Sequence, residues 1–569
     1  MSRRVAVNSK RSKRTRATPV EQQIEVLSEE APLRRKVMIA GVAGALLLFI
    51  ATYLWRLDHV IGMYGDDSWY VVLAKSLATG QGYSLVNSPS PGILPIYPPV
   101  FPWLLSLAYR LSPEFPQNLW LLKSVSIAAM LGIGVAVYAH LRSERKLSVW
   151  FAIGIAMATV VNPAFVFMAT STVMAECVFT LGMLLTIVVI ERGARVARGR
   201  GYWLFALGGA LASFTFLTRA QGAGLIIAVA VYLLKERMIR ALALFVVIAA
   251  LLAGSWTLYA WKRAPTPEQR DEQNSYIVKS YAAQLTSSAQ PDPAVRPPFL
   301  NRMATRSFNN SSRMLESNIG SLIVYPVFRT AEPLVADKRT VRTALLSLLL
   351  SVIIIIGFIS ALRARVTLAD LAVFFSTLIL MVWTFASFRF VLPLLPFAIF
   401  YLVLGLRAIC RLTQRLFSAP GARLQRAALL GVIALIIGFN TYTNAAYGLS
   451  MRGPESERPE WLRAFEENRA MIQWAGEHIP KESVISSSNP GLVHLYTGHK
   501  TVGTTDPSTH WELWKRIGVR YAVLNSIRPQ SDPSPAMKRY SIIYTSDRMK
   551  LRIVDYGEAA KRLPWPNNP

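Results

Sequence analysis

The chain has 569 residues, of which 52% are hydrophobic and only 17% are charged, and its mean hydropathy is positive. These values are typical of a polytopic membrane protein and exclude an ordinary soluble domain. The net charge of +29 comes mostly from short loops beside apolar stretches, which favours a role in membrane orientation over binding of nucleic acid.

Apolar stretches of membrane-spanning length recur along the chain. A helix needs about 20 mainly apolar residues to cross the hydrocarbon core of a bilayer, and about eleven stretches meet this requirement. They lie at 36-56, 119-141, 148-167, 171-191, 203-218, 221-234, 239-261, 342-362, 367-387, 390-409 and 427-446. The predicted fold class is therefore an α-helical polytopic membrane protein with about 11 transmembrane helices, followed by a small C-terminal extracytoplasmic α/β domain.

Lys and Arg cluster beside alternate spans. The clusters lie in the N-terminal arm and near 142-146, 192-200, 235-240, 363-365 and 407-426. The positive-inside rule makes these loops and the N terminus cytoplasmic, in a protein of the cytoplasmic (inner) membrane. The predicted parts are a basic disordered arm (1-35), a transmembrane domain (36-446) with external loops at 57-118 and 262-341, and an extracytoplasmic domain (447-569).

Two neighbouring carboxylates, Asp66 and Asp67, follow the first span. The residues after them, SWYVVLAKSLATG, have helical spacing and end at Gly80, which predicts a short helix lying on the membrane surface. An aspartate before such a helix is a good N-cap, but one cap residue suffices. The other carboxylate is a candidate general base or metal ligand.

The other external segments carry their own patterns. Six prolines in SPSPGILPIYPPVFPW (88-103) rule out a regular helix there, and a short amphipathic helix is expected at 103-111. The polar segment 262-341 is too long for a passive connector, so we expect it to act as a lid or to contact substrate.

The residues after the last span alternate helical and strand patterns. A helix is predicted to end at Pro480, and strands are predicted in ESVISSS, VRYAVLNS, YSIIYTS and KLRIVDYG. Together they indicate a small α/β domain. No internal repeat is evident, which weakens the alternative of an inverted-repeat transporter.

Three charged residues lie near the predicted outer boundary of the membrane. Glu176 lies about one turn inside the outer end of the fourth predicted span, where an acid must be neutral, hydrogen-bonded or paired with a cation. Arg219 and Arg389 are cations on the side that the orientation rule disfavours, and guanidinium groups suit a bound phosphate or pyrophosphate. Pairing of Arg219 with Glu176 is an equally good reading. Two prolines after Arg389, in RFVLPLLP, are expected to distort the helix that follows.

These segments together resemble a known group of enzymes. The string D-D-S-W-Y, followed by G-Q-G-Y and then Y-P-P-V-F-P-W-L, is similar to the first external loop of bacterial GT-C glycosyltransferases, of the protein O-mannosyltransferase and lipid A aminoarabinose transferase-like group. Glu176, the turn Thr218 to Gly222 and the stretch Arg389 to Pro396 match further motifs of that group, as does IPKESVISSSNPGLVHLYTGHKTVG. The resemblance covers about residues 50 to 530.

The resemblance implies a hexosyl- or pentosyltransferase. It would transfer a sugar, with inversion, from a polyprenyl-phosphate donor to a glycan, lipid or protein acceptor on the external face of the membrane. Asp66 would be the general base, Asp67 would orient it or cap the helix, and Arg219 and Arg389 would hold the donor phosphate. The expected substrate cavity includes Tyr70, Tyr97, Glu176 and Gln221.

One departure from the family pattern concerns the donor site. Aminoarabinose transferases have a lysine directly before the Pro-Pro of the loop, whereas this chain has Tyr97, so transfer of another sugar is favoured. No cofactor is required by the pattern, although the acidic pair and Glu176 leave a divalent cation open. The alternatives are a transporter or flippase for a lipid-linked or anionic substrate, and a membrane-anchored assembly or sensor protein. Membrane lipids, but no nucleic acid, are expected as partners.

Overall fold

The computed structural model describes residues 35–62, 64–196, 201–273, 278–286, 297–324, 340–385, 387–416, 421–504, 507–526, 529–531 and 540–557. The N-terminal arm predicted at 1-35 therefore lies almost wholly outside the described residues.

Long apolar helices form most of this part of the chain. Among the described residues, seven helices are long and apolar enough to cross a membrane, and a bent pair provides an eighth crossing if it is one span. The seven are Arg35–Arg56, Leu119–Ser143, Glu176–Val196, Ile239–Lys262, Val341–Ala364, Phe388–Leu412 and Ala422–Arg452. Three shorter apolar helices, Tyr202–Phe216, Ala220–Lys235 and Leu368–Val382, account for the remaining predicted spans.

The predicted spans are confirmed as helices, with two differences in detail. The span predicted at 148-167 is a pair of helices, Val149–Val160 and Pro163–Thr170, bent by 52°. Asn162 caps the second helix by accepting the N–H of Ala164, and Pro163 occupies its first position, where its missing N–H costs nothing. The next helix starts at Glu176 instead of at 171.

The proline-rich entry to the late span also behaves as the sequence indicates. A single helical turn, Phe388–Val391, carries Arg389, and a 3-10 turn, Leu392–Leu394, separates it from the helix Leu395–Leu416. Because Pro393 has no N–H to donate, regular α-helical bonding is interrupted at this point.

Several shorter helices lie in the segments between the long apolar helices. They are Asp66–Ala78, Val100–Leu111, Pro267–Gln273, Tyr281–Thr286, Phe299–Arg313 and Ile319–Ile323, with a π-helical turn at Met314–Asn318. Asp66–Ala78 is hereafter the acid helix, and residues 88-99 are the proline loop.

The C-terminal domain is a five-stranded sheet with helices. Its strands are β1 Val484–Ser487, β2 Thr501–Val502, β3 Val519–Leu524, β4 Ser541–Thr545 and β5 Arg552–Asp555. The strand order is β2-β1-β3-β5-β4, with β1 parallel to β2 and β3, and β5 antiparallel to β3 and β4. Its helices are Glu460–His478, Pro490–Thr497 and Pro507–Ile517. The predicted α/β domain is thus confirmed, although β2 has only two residues and carried no strand signal.

The acid helix is present, and it is covered by other parts of the protein. Ten of its thirteen residues are buried, and the helix Pro490–Thr497 of the C-terminal domain packs against it. Its apolar side chains are therefore covered by protein, which its sequence alone does not distinguish from burial in lipid.

Candidate functional site

The two aspartates occupy the first two positions of the acid helix. The N-cap is Gly65, whose φ of 72° is in the region that glycine favours, and it provides no side-chain cap. The prediction that an aspartate is the N-cap is therefore wrong by one position. Both carboxylates still lie in the first turn, where the helix dipole stabilises negative charge.

Asp66 points into a cavity and is held at both oxygens. Its Oδ1 accepts a hydrogen bond from the Tyr97 hydroxyl at 2.7 Å, and its Oδ2 accepts one from Arg389 Nη2 at 2.6 Å. Tyr97 comes from the proline loop, and Arg389 comes from the start of a late helix, 323 residues along the chain from Asp66. The three side chains therefore join distant segments at one point.

Asp67 turns away from this cavity and has no exposed surface. Its carboxylate accepts the backbone N–H groups of Gly62 at 2.8 Å and Ser68 at 3.0 Å. Burial raises the pKa of Asp67 to about 6; these amides and Lys123 oppose the shift, and the charge of Asp66 adds to it. The two neighbouring carboxylates thus occupy different environments.

The raised pKa of Asp67 predicts a pH-dependent stability. The unfolded chain ionises this group near pH 4 and the folded chain near pH 6, so its contribution is fully present below about pH 4 and is lost as pH rises through about 6. Between about pH 5 and pH 7.5 the loss is about 1 kcal/mol. We expect the midpoint of thermal unfolding of the wild type to gain more than that of Asp67→Asn when the pH is lowered over this range.

The comparison with Asp67→Asn is needed because His494 changes the stability of the fold with pH in the opposite direction. Burial lowers the pKa of His494 to about 4, so its contribution to stability is lost as pH falls below its ordinary value. This contribution is common to both proteins and cancels in the difference. Equal pH responses of wild type and Asp67→Asn would contradict the assignment.

Two arginines and a second acid complete the polar wall of the cavity. Arg219 Nη1 donates to Glu176 Oε1 at 2.7 Å, and Arg389 Nη1 lies 4.0 Å from the same oxygen. Glu176 is fully buried at the start of its helix. The pairing of Arg219 with Glu176, one of the two readings of the sequence, is therefore formed, and the charges alternate from Asp66 through Arg389 and Glu176 to Arg219.

Two polar atoms of these four charged side chains are buried without a hydrogen-bond partner in the described part of the chain. They are Arg389 Nη1, a donor, and Glu176 Oε2, an acceptor. The ring of Phe390 lies 5.0 Å from the guanidinium carbons of both arginines, which restricts their planes. A polar ligand in the cavity would satisfy an unused donor.

The cavity encloses about 100 Å³. It is lined by Asp66, Tyr70, Ile96, Tyr97, Pro98, Arg219, Ala220, Gln221, Tyr281, Gln284, Ile379, Leu380, Trp383, Phe385, Arg389 and Phe390. Six of the eight site residues expected from the sequence lie in this lining. Glu176 lies behind the arginines, and Asp67 lies behind Asp66.

The sequence analysis missed Tyr281, Gln284 and Trp383. The first two come from the helix Tyr281–Thr286, within the segment 262-341 that was expected to contact substrate. The Tyr281 hydroxyl donates to the carbonyl oxygen of Ile96 at 2.5 Å, which ties this segment to the proline loop. Neither charge nor periodicity marks these residues, so only their tertiary position reveals them.

A larger groove adjoins the cavity. It measures about 440 Å³, and Pro98, Ala220 and Tyr281 line both spaces. The rest of its wall is mainly apolar, with Trp256 and Trp261 from a membrane-spanning helix. The polar cavity thus lies beside a space that suits an apolar chain.

Solved structures with the same architecture support the assignment of the fold. ArnT from Cupriavidus metallidurans bound to undecaprenyl phosphate is 15% identical, with 93% of this chain and 99% of that chain covered and a TM-score of 0.54. The oligosaccharyltransferase AglB from Archaeoglobus fulgidus, in its apo form, is 13% identical, with 87% and 70% covered and a TM-score of 0.52. The chain has the GT-C fold.

The fold assignment confirms the family resemblance at the level of architecture, and the protein is a multi-pass membrane protein. No protein-family model and no curated protein matches the sequence. At these identities the likeness to solved structures establishes the GT-C fold alone. The activity has to be argued from the site.

A divalent cation was left open by the sequence, and the residues present do not fit one. A structure of the same archaeal oligosaccharyltransferase in complex with Zn and sulfate is 12% identical, with 84% and 67% covered and a TM-score of 0.50. Among the residues described here, no three His, Cys, Asp or Glu side chains converge on a point where they could hold a metal. Asp66 and Glu176 are each paired with an arginine instead, and that positive charge disfavours a dication.

Proposed function

We propose that this protein is a glycosyltransferase that transfers a sugar from a polyprenyl-phosphate donor to an acceptor hydroxyl, with inversion. The observation that carries the proposal is the meeting of Asp66, Arg219 and Arg389 in one cavity beside an apolar groove. A carboxylate suits proton abstraction, guanidinium groups suit a phosphate, and an apolar groove suits a prenyl chain. These are the three parts that such a reaction requires.

The donor phosphate is assigned to the two arginines. Arg389 Nη1 is a buried donor without a partner among the described residues, and Arg219 lines the same cavity while paired with Glu176. A phosphate between them would accept hydrogen bonds from both guanidinium groups. The binding of undecaprenyl phosphate by ArnT, a protein of the same fold, supports this assignment.

Asp66 is assigned as the general base. The acceptor hydroxyl loses its proton to the Asp66 carboxylate as its oxygen forms a bond to the anomeric carbon of the sugar. The bond from that carbon to the phosphate oxygen breaks, and polyprenyl phosphate leaves with the electron pair. The arginines stabilise the charge on the leaving group, since it develops in a site partly shielded from water.

The orientation of the protein in the membrane is inferred from the basic loops of the sequence. We assign the cavity and the C-terminal domain to the extracytoplasmic side of the cytoplasmic membrane, because Lys and Arg concentrate on the opposite side of the spans. The transporter alternative gains no support from the two named neighbours, both of which belong to a superfamily of transferases.

Reconstituted protein tests this function directly. Liposomes containing the protein would receive radiolabelled mannosyl, pentosyl and aminoarabinosyl polyprenyl phosphates with a total envelope-lipid and glycan acceptor fraction. We expect label to leave the donor and enter an acceptor for at least one of the first two sugars, because Tyr97 replaces the lysine of aminoarabinose transferases. Movement of intact donor between leaflets without loss of its sugar would instead identify a flippase.

A further inference from the structure

Asn489 in the C-terminal domain begins the helix that packs on the acid helix. It follows β1, and its Oδ1 accepts the backbone N–H of Leu492 at 3.3 Å, which caps the helix Pro490–Thr497. The sequence SSSNPG favours this arrangement, because Asn is a strong N-cap and Pro suits the first helical position. This hydrogen bond lies within the C-terminal domain and does not involve the acid helix.

The same side chain also crosses to the residues that precede and begin the acid helix. Its Nδ2 donates to the carbonyl oxygen of Gly62 at 3.2 Å. Its Oδ1 lies 3.0 Å from Ser68 Oγ, whose single proton is shared with the carbonyl oxygen of Gly65 at 2.7 Å. Asp67 binds the backbone N–H groups of Gly62 and Ser68. Gly62 and Ser68, which flank Asp66 in the chain, are therefore each held by two side chains.

Two glycines at this contact lie close to side chains of the opposite segment. Gly62 has a φ of 88°, and a Cβ there would lie 2.7 Å from Leu492 Cδ2. A Cβ on Gly491 would lie 2.9 Å from Ser68 Oγ. A Cβ at either position would force the side chain of Leu492 or Ser68 to shift, and at Gly62 the positive φ adds backbone strain.

Two further contacts join the C-terminal domain to the acid helix and to the proline loop, which carry Asp66 and Tyr97. Lys75, in the last turn of the acid helix, lies with its Nζ 3.3 Å from His494 Nε2. Lys500 Nζ donates to the carbonyl oxygens of Val86 at 2.8 Å and Ser88 at 3.2 Å, at the start of the proline loop. The C-terminal domain therefore touches both segments that meet at the Asp66–Tyr97 hydrogen bond.

From these contacts we infer that the C-terminal domain positions the general base, and that Asn489 is the positioning residue that fixes Asp66 relative to Tyr97 and Arg389. The inference rests on the proposed function. Displacement of a catalytic group by about 1 Å is enough to cost about 100-fold in rate. Asn489, which caps a helix of the domain and also contacts Gly62 and Ser68 on either side of Asp66, can prevent such a displacement.

The substitution Asn489→Ser separates this role from the stability of the domain. Serine is also a strong N-cap, but it is too short to reach Gly62 and Ser68 from the same backbone position. We expect the protein to remain folded at the assay temperature, with only a small fall in the midpoint of thermal unfolding from the two part-buried hydrogen bonds that are lost. The kcat per folded molecule should fall about 10- to 100-fold, with the donor KM altered less than about threefold. Asn489→Asp keeps the acceptor for Ser68 but places a carboxylate oxygen opposite the carbonyl oxygen of Gly62, so its kcat should be no higher than that of Asn489→Ser.

A second measurement does not depend on activity. Hydrogen–deuterium exchange in the peptide that contains Gly62 to Ser68 should be faster in Asn489→Ser than in wild type. The control is Arg520→Gln, which breaks the exposed ion pair with Asp555 in the same domain and should leave both exchange and kcat unchanged.

Each outcome decides the inference. Unchanged exchange in Asn489→Ser, or faster exchange with wild-type kcat, would overturn the positioning role. A loss of kcat that only follows the folded fraction would overturn it as well. If the wild type transfers no sugar, the proposed function fails and the positioning role fails with it, while exchange still reports whether Asn489 holds the entry to the acid helix.

Discussion

Asp66→Asn is expected to abolish sugar transfer, with kcat reduced about 1,000-fold or more. The amide is nearly the same size as the carboxylate, and its oxygen can still accept a hydrogen bond from Tyr97 or Arg389. The other of these two donors loses its acceptor, so the rate has to be expressed per folded molecule. The amide cannot take the proton of the acceptor hydroxyl. Single-turnover transfer from a radiolabelled polyprenyl-phosphate sugar measures this loss, with donor binding measured separately.

Asp67→Asn is the matched control for this substitution. In the variant an NH2 group replaces one of the two oxygens that accept the backbone N–H groups of Gly62 and Ser68. One of these buried donors then has no partner, and the protein is destabilised by about 1 to 3 kcal/mol. The kcat of the molecules that remain folded should stay within about tenfold of wild type. Tyr97→Phe, which removes only one hydrogen bond to Asp66, should have an effect between these two.

The opposite ranking would reassign the base. If Asp67→Asn loses transfer per folded molecule while Asp66→Asn retains it, the buried carboxylate is the catalyst and the cavity-facing one is not. If both retain it, the acidic pair is structural and the assignment of a general base to this pair is wrong.

The fold was largely predictable because its main signals are local. Each membrane-spanning helix is a stretch of apolar residues, and its length and composition are readable without knowing its neighbours. The interruption at Pro393 likewise follows from a single residue. The bend near Pro163 was not predicted, although Asn162 and Pro163 are its local cause. The burial of the acid helix was not predictable, because its apolar side chains would suit lipid or protein equally.

The candidate site was predictable only in part. Asp66, Arg219 and Arg389 each stand out as charges at a membrane boundary, and the family resemblance brought them together. Asp66 and Arg389 are 323 positions apart, and the sequence between them carries no local indication that the two side chains meet. Tyr281 has an unremarkable sequence context, since its position in the cavity depends on how a polar segment folds over the proline loop.

Arg389→Lys is expected to impair both donor binding and chemistry. The guanidinium of Arg389 donates to Asp66 at 2.6 Å through Nη2, while Nη1 lies 4.0 Å from Glu176 and has no hydrogen-bond partner among the described residues. A lysine carries a single ammonium group and cannot hold Asp66 and a phosphate oxygen in one plane. We expect the Kd for the donor to rise about tenfold and kcat to fall about 100-fold.

Arg219→Lys provides the comparison, because both arginines lie the same distance from Phe390 but only Arg389 contacts Asp66. A lysine at 219 can still pair with Glu176, so the donor Kd should rise while kcat falls less than in Arg389→Lys. Binding of sugar-free polyprenyl phosphate to each variant in detergent micelles separates affinity from chemistry. Wild-type affinity in both variants would contradict the assignment of the arginines to the phosphate. Reduced kcat with wild-type affinity in Arg389→Lys alone would instead mean that Arg389 serves to hold the Asp66 carboxylate, because its second donor would then have no ligand to bind.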